Sequence, residues 1–456
     1  MDKYDVVVLG GGPGGYLCAE RAAQAGFKAA VVEKRALGGT CLNEGCVPTK
    51  AFLYCAKNYS AAKHAETYGF EAKDVKINHA AVVDRKNKIV KTLVGGVGAT
   101  MKSNKIKVYD AEGSIKGRGP EGFEINAGNE VIACDRLVIA TGSVTAVPPI
   151  NGLKEGLASG FVVTNREVLD LKELPKSIVC LGGGVIGLEM ACYFSTVGTK
   201  VTIVEMMPKI AGPTDADICK LLQKTYEKEG MEFMLNAKVQ EVGKDSVTYE
   251  DATGKHTIKC DKVLLAAGRR ANISGVNVEA LGIVTERGAI VTDSHMCTNV
   301  PGVYAVGDCN GKLMLAHTAY REAEVAVHHM QGVKDDMRYD HIPSVIYTNP
   351  EVASVGYSEE KAKEAGFNVK TYKVPMMMSG RYVAETLNGD GFCKLVYDVD
   401  KKCLVGVHMV GNYASEMIYG AAMLLDTEMP IERIKKIVFP HPTVSEVIRE
   451  GLFMIK

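Results

Sequence analysis

DVVVLGGGPGGYLCAERAAQAGFKAAVVE, residues 5–33, decides the fold. The apolar run after Asp5 reads as a buried strand, the glycines as a tight turn, the alanine-rich stretch up to Gly26 as a helix, and AAVVE as a second strand ending at Glu33. Gly10, Gly12 and Gly15 fill a G-x-G-x-x-G turn. The first glycine permits the turn, the second lets backbone approach a pyrophosphate, and the third lets the helix pack on the strand. Glu33 ends the second strand, where a carboxylate accepts hydrogen bonds from ribose hydroxyls. Strand, turn, helix, strand and acid together predict a dinucleotide-binding unit.

The pattern returns between Ile178 and Glu205, where Gly182, Gly184, Gly187, Gly198 and Glu205 repeat Gly10, Gly12, Gly15, Gly26 and Glu33 at one constant offset. Each copy has a later strand of the same form, DRLVIATG ending at Gly142 and DKVLLAAG ending at Gly268. Two units predict two dinucleotides and two Rossmann-like α/β domains. The first copy is the longer between its motifs, and the extra length includes Cys41 and Cys46, so the insertion supplies that domain with a redox centre. Glu205 is followed by Met206, Met207 and Pro208 rather than by arginines. An acid there repels a 2′-phosphate, so NAD is expected over NADP, with Lys209 the nearest cation.

The 456 residues allow several domains, and 46% hydrophobic content is ample for several cores. Fifty-four basic residues balance 54 acidic ones, which argues against a nucleic-acid or membrane-surface partner. No apolar run reaches membrane-spanning length, and the first strand pattern starts at Asp5, leaving no room for a targeting peptide. A soluble, cytoplasmic protein is expected. The 13 cysteines are scattered singly apart from Cys41 and Cys46, unlike an extracellular disulfide framework.

GGTCLNEGCVPTK, residues 38–50, holds that pair. In a regular helix residues five apart lie roughly 8–9 Å apart at Cα, beyond the ~7 Å limit of a disulfide. Bridging them needs a distorted turn, for which Gly45 and Pro48 are the candidates. Strained bridges of this kind are the oxidising, catalytic ones; two unconnected thiols remain the alternative. No second Cys/His cluster stands at ligand spacing, so no metal is expected.

Further along, VYAVGD reads as a strand ending at Asp308, an acid able to hydrogen-bond a polyhydroxy chain. A helix from Leu313 would direct free N–H groups near Ala316 and His317 at an electron-rich ring. Beyond His341 the pattern becomes α+β without a glycine fingerprint and is assigned to assembly, with a helix at Ala414–Leu425. Near its end stands FPHPTVSEVIRE. Pro442 holds His441 extended and opens a short helix carrying Glu446, a carboxylate that can orient the imidazole as a base.

GGTCLNEGCVPTK, the two fingerprints, VYAVGD and HPTVSE resemble, in order and over essentially the whole chain, the flavoprotein disulfide reductases. The resemblance implies FAD on Gly10, Gly12, Gly15, Glu33 and Asp308, with Lys50, Gly142 and Ala316 also at the flavin side, and NAD on Gly182, Gly184, Gly187, Glu205 and Gly268. It implies an FAD domain of residues 1–147 and 270–340, an NAD domain of 148–269 and a dimerisation domain of 341–456. Cys41 would exchange with substrate and Cys46 would face the flavin, beside a Lys50–Glu189 ion pair. His441 of the partner subunit, oriented by Glu446, would act as base across a homodimer interface, and a cis His441–Pro442 peptide is implied. The expected reaction is oxidation of dihydrolipoamide carried on a lipoyl-bearing protein of a multienzyme complex, with reduction of NAD. Glutathione, trypanothione, mercuric and thioredoxin reductases fit less well, for want of the arginines or of a C-terminal cysteine pair. A non-catalytic redox sensor is the rival from another class, against which retention of both cysteines and of His441 and Glu446 counts. Glu44 stands where the family more often carries a small apolar residue; a negative charge there would raise the cysteine pKa values or lower the flavin potential.

Overall fold

The computed structural model describes residues 1–387 and 389–456. β1 (Asp2–Leu9) runs through the glycine turn into α1 (Pro13–Gln24) and β2 (Ala29–Glu33). Three helices, α2 (Gly39–Glu44), α3 (Cys46–Lys63) and α4 (His79–Ser103), stand between β2 and β3 (Lys107–Asp110). The hairpin β4 (Gly113–Gly119) and β5 (Gly122–Ala127) leads into β6 (Glu130–Ile139). The sheet order is β3-β2-β1-β6-β5-β4, with β1 parallel to β2 and β6, so that Val8 lies between Val31 and Val138. All three valines are fully buried, as a parallel sheet covered on both faces requires.

The chain leaves through β7 (Ser143–Thr145), α5 (Leu153–Ser159) and β8 (Val162–Val163). It then builds β9 (Ser177–Leu181), α6 (Val185–Thr196), β10 (Lys200–Val204), α7 (Ala216–Lys228) and β11 (Glu232–Met234). An antiparallel meander of β12 (Lys238–Val242), β13 (Ser246–Asp251) and β14 (Gly254–Lys259) precedes β15 (Lys262–Leu265). The second sheet, β11-β10-β9-β15-β8, is parallel throughout. The chain returns through β16 (Arg269–Ala271), which pairs with β7, and a small hairpin, β17 (Thr285–Glu286) and β18 (Ala289–Ile290). β19 (Val303–Ala305) then joins the first sheet beside β6, and α8 (Ala316–Met330) packs on α1.

A third, antiparallel sheet follows, with β20 (Ser344–Ile346), β21 (Val352–Gly356), α9 (Glu359–Glu364), β22 (Val369–Pro375), α10 (Gly380–Glu385), β23 (Phe392–Asp398) and β24 (Cys403–Val410). Its order is β20-β21-β24-β23-β22, and α11 (Ala414–Asp426), α12 (Ile431–Ile434) and α13 (Glu446–Met454) complete the chain. Two doubly wound α/β units and a C-terminal α+β unit are thus the architecture. Among the described residues, no helix is long and apolar enough to cross a membrane.

Three local expectations are corrected. The VYAVGD strand stops at Ala305, because Gly307 turns to φ +77° and Asp308 opens a short 3-10 turn. The following helix starts at Ala316, three residues after Leu313, with extended Leu315 as its N-cap. Pro442 does not open the last helix: the His441–Pro442 peptide is cis, and a turn separates it from the helix start at Glu446.

Candidate active site

Each glycine fingerprint divides into internal and outward-facing positions. A Cβ on Gly10 would lie 2.3 Å from Ala140 O, and one on Gly15 1.8 Å from Gly10 O, so these two serve packing. A Cβ on Gly12 meets only Gly39 Cα, at 3.7 Å. In the second copy Gly182 and Gly187 are blocked by Ala266 O at 2.5 Å and Gly182 O at 2.2 Å, whereas nothing lies within 4 Å of Gly184. Gly12 and Gly184 are also the N-caps of α1 and α6, and neither helix start has a side-chain cap. Each therefore leaves backbone N–H groups facing open space, the donor set that receives a pyrophosphate.

Glu33 Oε2 accepts the Gly11 N–H at 2.7 Å and Oε1 that of Arg35 at 2.7 Å; Glu205 repeats this with Gly183 at 2.7 Å and Met207 at 2.8 Å. The turn thus fixes both acids, whose remaining lone pairs can take ribose hydroxyls. Lys209 is turned inward, donating to Gly212 O at 2.7 Å and Thr214 O at 2.6 Å, which removes it as a partner for a 2′-phosphate.

The cysteine pair straddles a break between two helices. α2 ends at Gly45, whose φ −143°, ψ −109° interrupts the ladder, and α3 begins at Cys46. A Cβ at Gly45 would sit 2.9 Å from Thr40 O. Pro48 takes no part in the break: it lies within the first turn of α3, where its missing N–H costs nothing. Both thiols are free, one on α2 and one at the start of α3. Its neighbour Cys46 and burial push the Cys41 thiol well up; the neighbouring Cys41 and the Lys50 ammonium bring Cys46 down to about 7. The arrangement favours ionisation of Cys46 over Cys41.

Lys50, one turn beyond Cys46 on α3, donates to Glu189 of α6 at 2.7 and 2.9 Å. Tyr347 closes the site, its N–H on Glu189 at 2.9 Å and its ring 4.3 Å from Lys50 Nζ. Phe52 of α3 packs on Tyr193 of α6 with centroids 4.6 Å apart and the rings tilted by 40°, so the redox helix is packed against the second unit. Asp308 receives the Ser143 hydroxyl at 2.5 Å, and Arg269 Nε donates to that oxygen at 2.8 Å, tying Asp308 to the β7–β16 crossing beside Gly142 and Gly268. Ala316 opens α8 without a side-chain cap, and His317 is held by Pro343 O at 2.7 Å.

His441 and Glu446 do meet, Nδ1 to Oε1 at 2.8 Å, and the imidazole holds the Glu446 carboxyl below its usual range. The His441 side chain is 77% exposed, so its free face is open to a second molecule. Exposed apolar side chains stand on the same unit, including Tyr419, Met423, Val438 and Phe453.

Several groups escaped the sequence reading because each is joined to its partners only by folding. Glu322 of α8, fully buried, accepts from Gly307 N, Asn310 Nδ2 and Tyr339 OH and braces the turn that carries Asp308. Tyr16 and Tyr320 share a hydroxyl–hydroxyl bond between α1 and α8. Glu44 is no isolated charge: Arg35 and Arg166 both grip it.

This chain belongs to the pyridine nucleotide-disulphide oxidoreductases, whose family profile matches residues 4–323 and whose dimerisation domain matches 342–452. It is 38% identical to the mitochondrial dihydrolipoyl dehydrogenase of Pisum sativum, over 99% of this chain and 91% of that one. Identity is 39% to the dihydrolipoyl dehydrogenase of Bacillus subtilis, over 98% and 97%. The HOCl-induced flavoprotein disulfide reductase of Escherichia coli superposes with a TM-score of 0.87 at 26% identity, covering 99% of this chain and 100% of that one. The protein is an NAD-dependent flavoprotein disulfide oxidoreductase with FAD and NAD as cofactors, and the two open helix N-termini and their acids fit both nucleotides.

Proposed function

We propose that the protein is a dihydrolipoyl dehydrogenase, oxidising protein-bound dihydrolipoamide with reduction of NAD as part of a 2-oxo acid dehydrogenase or glycine cleavage complex. The observation that carries this reading is the dithiol at the Gly45 break beside Lys50 and Glu189. The likeness to two dihydrolipoyl dehydrogenases supports the substrate. The domain division follows the two chain crossings: 1–147 with 270–340 for FAD, 148–269 for NAD and 341–456 for the homodimer. Balanced charge, which gives no attraction to a nucleic acid or a membrane surface, fits the cytoplasmic setting of this reading.

In the proposed reaction the partner subunit's His441 takes the proton of one substrate thiol. That thiolate attacks Cys41 Sγ of the oxidised pair, breaking the Cys41–Cys46 bond and releasing Cys46 as a thiolate beside Lys50. The second substrate thiol then displaces Cys41, its proton passing to the leaving Cys41 sulfur, and the cyclic disulfide departs. FAD supplies the two-electron path from the Cys46 side to NAD. Gly12, Glu33 and Asp308 hold the flavin nucleotide; Gly184 and Glu205 hold NAD. The test is anaerobic mixing with dihydrolipoamide and NAD or NADP in parallel. NADH formation with NAD alone is expected; no turnover of dihydrolipoamide with either nucleotide refutes the reading.

A further inference from the structure

Between the two cysteines, Glu44 stands in a built charge cluster. Glu44 is buried, and its two carboxylate oxygens accept four bonds. Oε1 takes Arg35 Nη1 and Arg166 Nη2, each at 3.0 Å. Oε2 takes Arg35 Nη2 at 2.7 Å and Arg166 Nε at 2.6 Å. The guanidiniums come from two different segments of the chain. Arg35 follows Glu33 at the end of β2, and Arg166 lies in the segment joining β8 to β9. The Glu44 carbonyl is held as well, by Asn165 Nδ2 at 2.7 Å, and Asn165 Oδ1 accepts from Thr145 at 3.0 Å. The clamp thus grips the residue preceding Gly45 by both side chain and backbone. Its formal charge is one net positive, two arginines against one carboxylate.

We propose that Glu44 is the counter-charge of the redox turn: pinned between Arg35 and Arg166 two residues before Cys46, it anchors the Gly45 break and offsets guanidiniums that would otherwise add to the positive charge beside that cysteine. This rests on Cys41 and Cys46 being the redox pair. The groups facing Cys46 are Cys41 from α2, Lys50 on its own helix, Glu189 from α6, Arg269 from β16, Tyr320 from α8 and Tyr347 beyond β20. Arg269 also donates to Asn165 Oδ1 at 3.4 Å, the side chain that holds the Glu44 carbonyl, so the clamp is joined to the β7–β16 crossing, and Glu44 itself lies two residues from Cys46. Glu33 and Glu167 lie near Arg35 as well. Removing Glu44 uncovers two cations; removing Arg166 as well restores the original net charge.

The experiment is the pH dependence of Cys46 alkylation in NADH-reduced holoenzyme, with the modified cysteine located by mass spectrometry. At an effective dielectric of about 20, partial solvent screening leaves each uncompensated charge worth about half a pKa unit, or about threefold in alkylation rate below the midpoint. Glu44→Gln should lower the midpoint by that amount, Arg166→Gln, which keeps the Arg35–Glu44 pair, should raise it, and the double variant should return to wild type. The proposal is overturned if Glu44→Gln and the double variant have the same midpoint, or if Arg166→Gln moves it downward or not at all. The redox-pair reading is checked separately in wild type, where NADH must expose two further thiols. Should those thiols fail to appear, that reading falls before any variant is made.

Discussion

Replacing Lys50 by methionine isolates the electrostatic role of the ammonium beside Cys46. The two residues are i and i+4 on α3, a spacing that puts side chains about 5–6 Å apart. At an effective dielectric of about 20, unit charges about 6 Å apart attract by about 3 kcal/mol, or about two pKa units. The Lys50 side chain is 30% exposed and shares its charge with Glu189, which reduces this to about one unit. The Cys46 midpoint should then move from about 7 to about 8, and the thiolate fraction at pH 7 should fall from about half to about a tenth. The sign is set by charge: removing a cation favours the neutral thiol, and Glu189, left without its partner, pushes the same way. Ultraviolet thiolate absorbance of the reduced Lys50→Met protein, read against pH, measures the midpoint. Nuclear magnetic resonance or circular dichroism confirms the fold. A folded variant whose midpoint stays within about 0.3 unit of wild type would refute this account of Lys50.

The two glycine classes should separate experimentally. Gly184→Ala places a methyl in open space, so the fold should hold while the NADH dissociation constant rises about tenfold or more, whereas Gly187→Ala, clashing with Gly182 O, should lower the melting temperature by several degrees. Unchanged NADH affinity in Gly184→Ala would remove that helix start from the nucleotide site. Glu446→Gln removes the carboxylate that orients His441 while leaving the exposed imidazole, and turnover with dihydrolipoamide should fall about tenfold to a hundredfold with the melting temperature unchanged. Because Glu446 is held below its usual range, it is ionised at neutral pH, and its bond to His441 weakens only as the pH falls through that lowered value. Activity equal to wild type in Glu446→Gln would show that the imidazole needs no orienter.

Glycine spacing, strand composition and the acids at 33 and 205 report short-range geometry, because a tight turn, a strand and a helix start are each decided within a few residues. Those readings agree with the sheets and with the open faces of Gly12 and Gly184. The break between Cys41 and Cys46 was also local, although Gly45 alone makes it and Pro48 does not. By contrast, Glu44 carries a charge whose meaning depends on Arg166, more than a hundred residues away. The same holds for Glu322 beneath the Asp308 turn and for Arg269 reaching Ser143. Such groups have no sequence period to betray them, since a buried polar side chain is satisfied by whichever partners the packed layers bring near. The sequence by itself thus determined the two nucleotide folds and the redox turn. Tertiary structure decided which charges surround the thiolate, because electrostatic neighbours are set by distance in space and not by order along the chain.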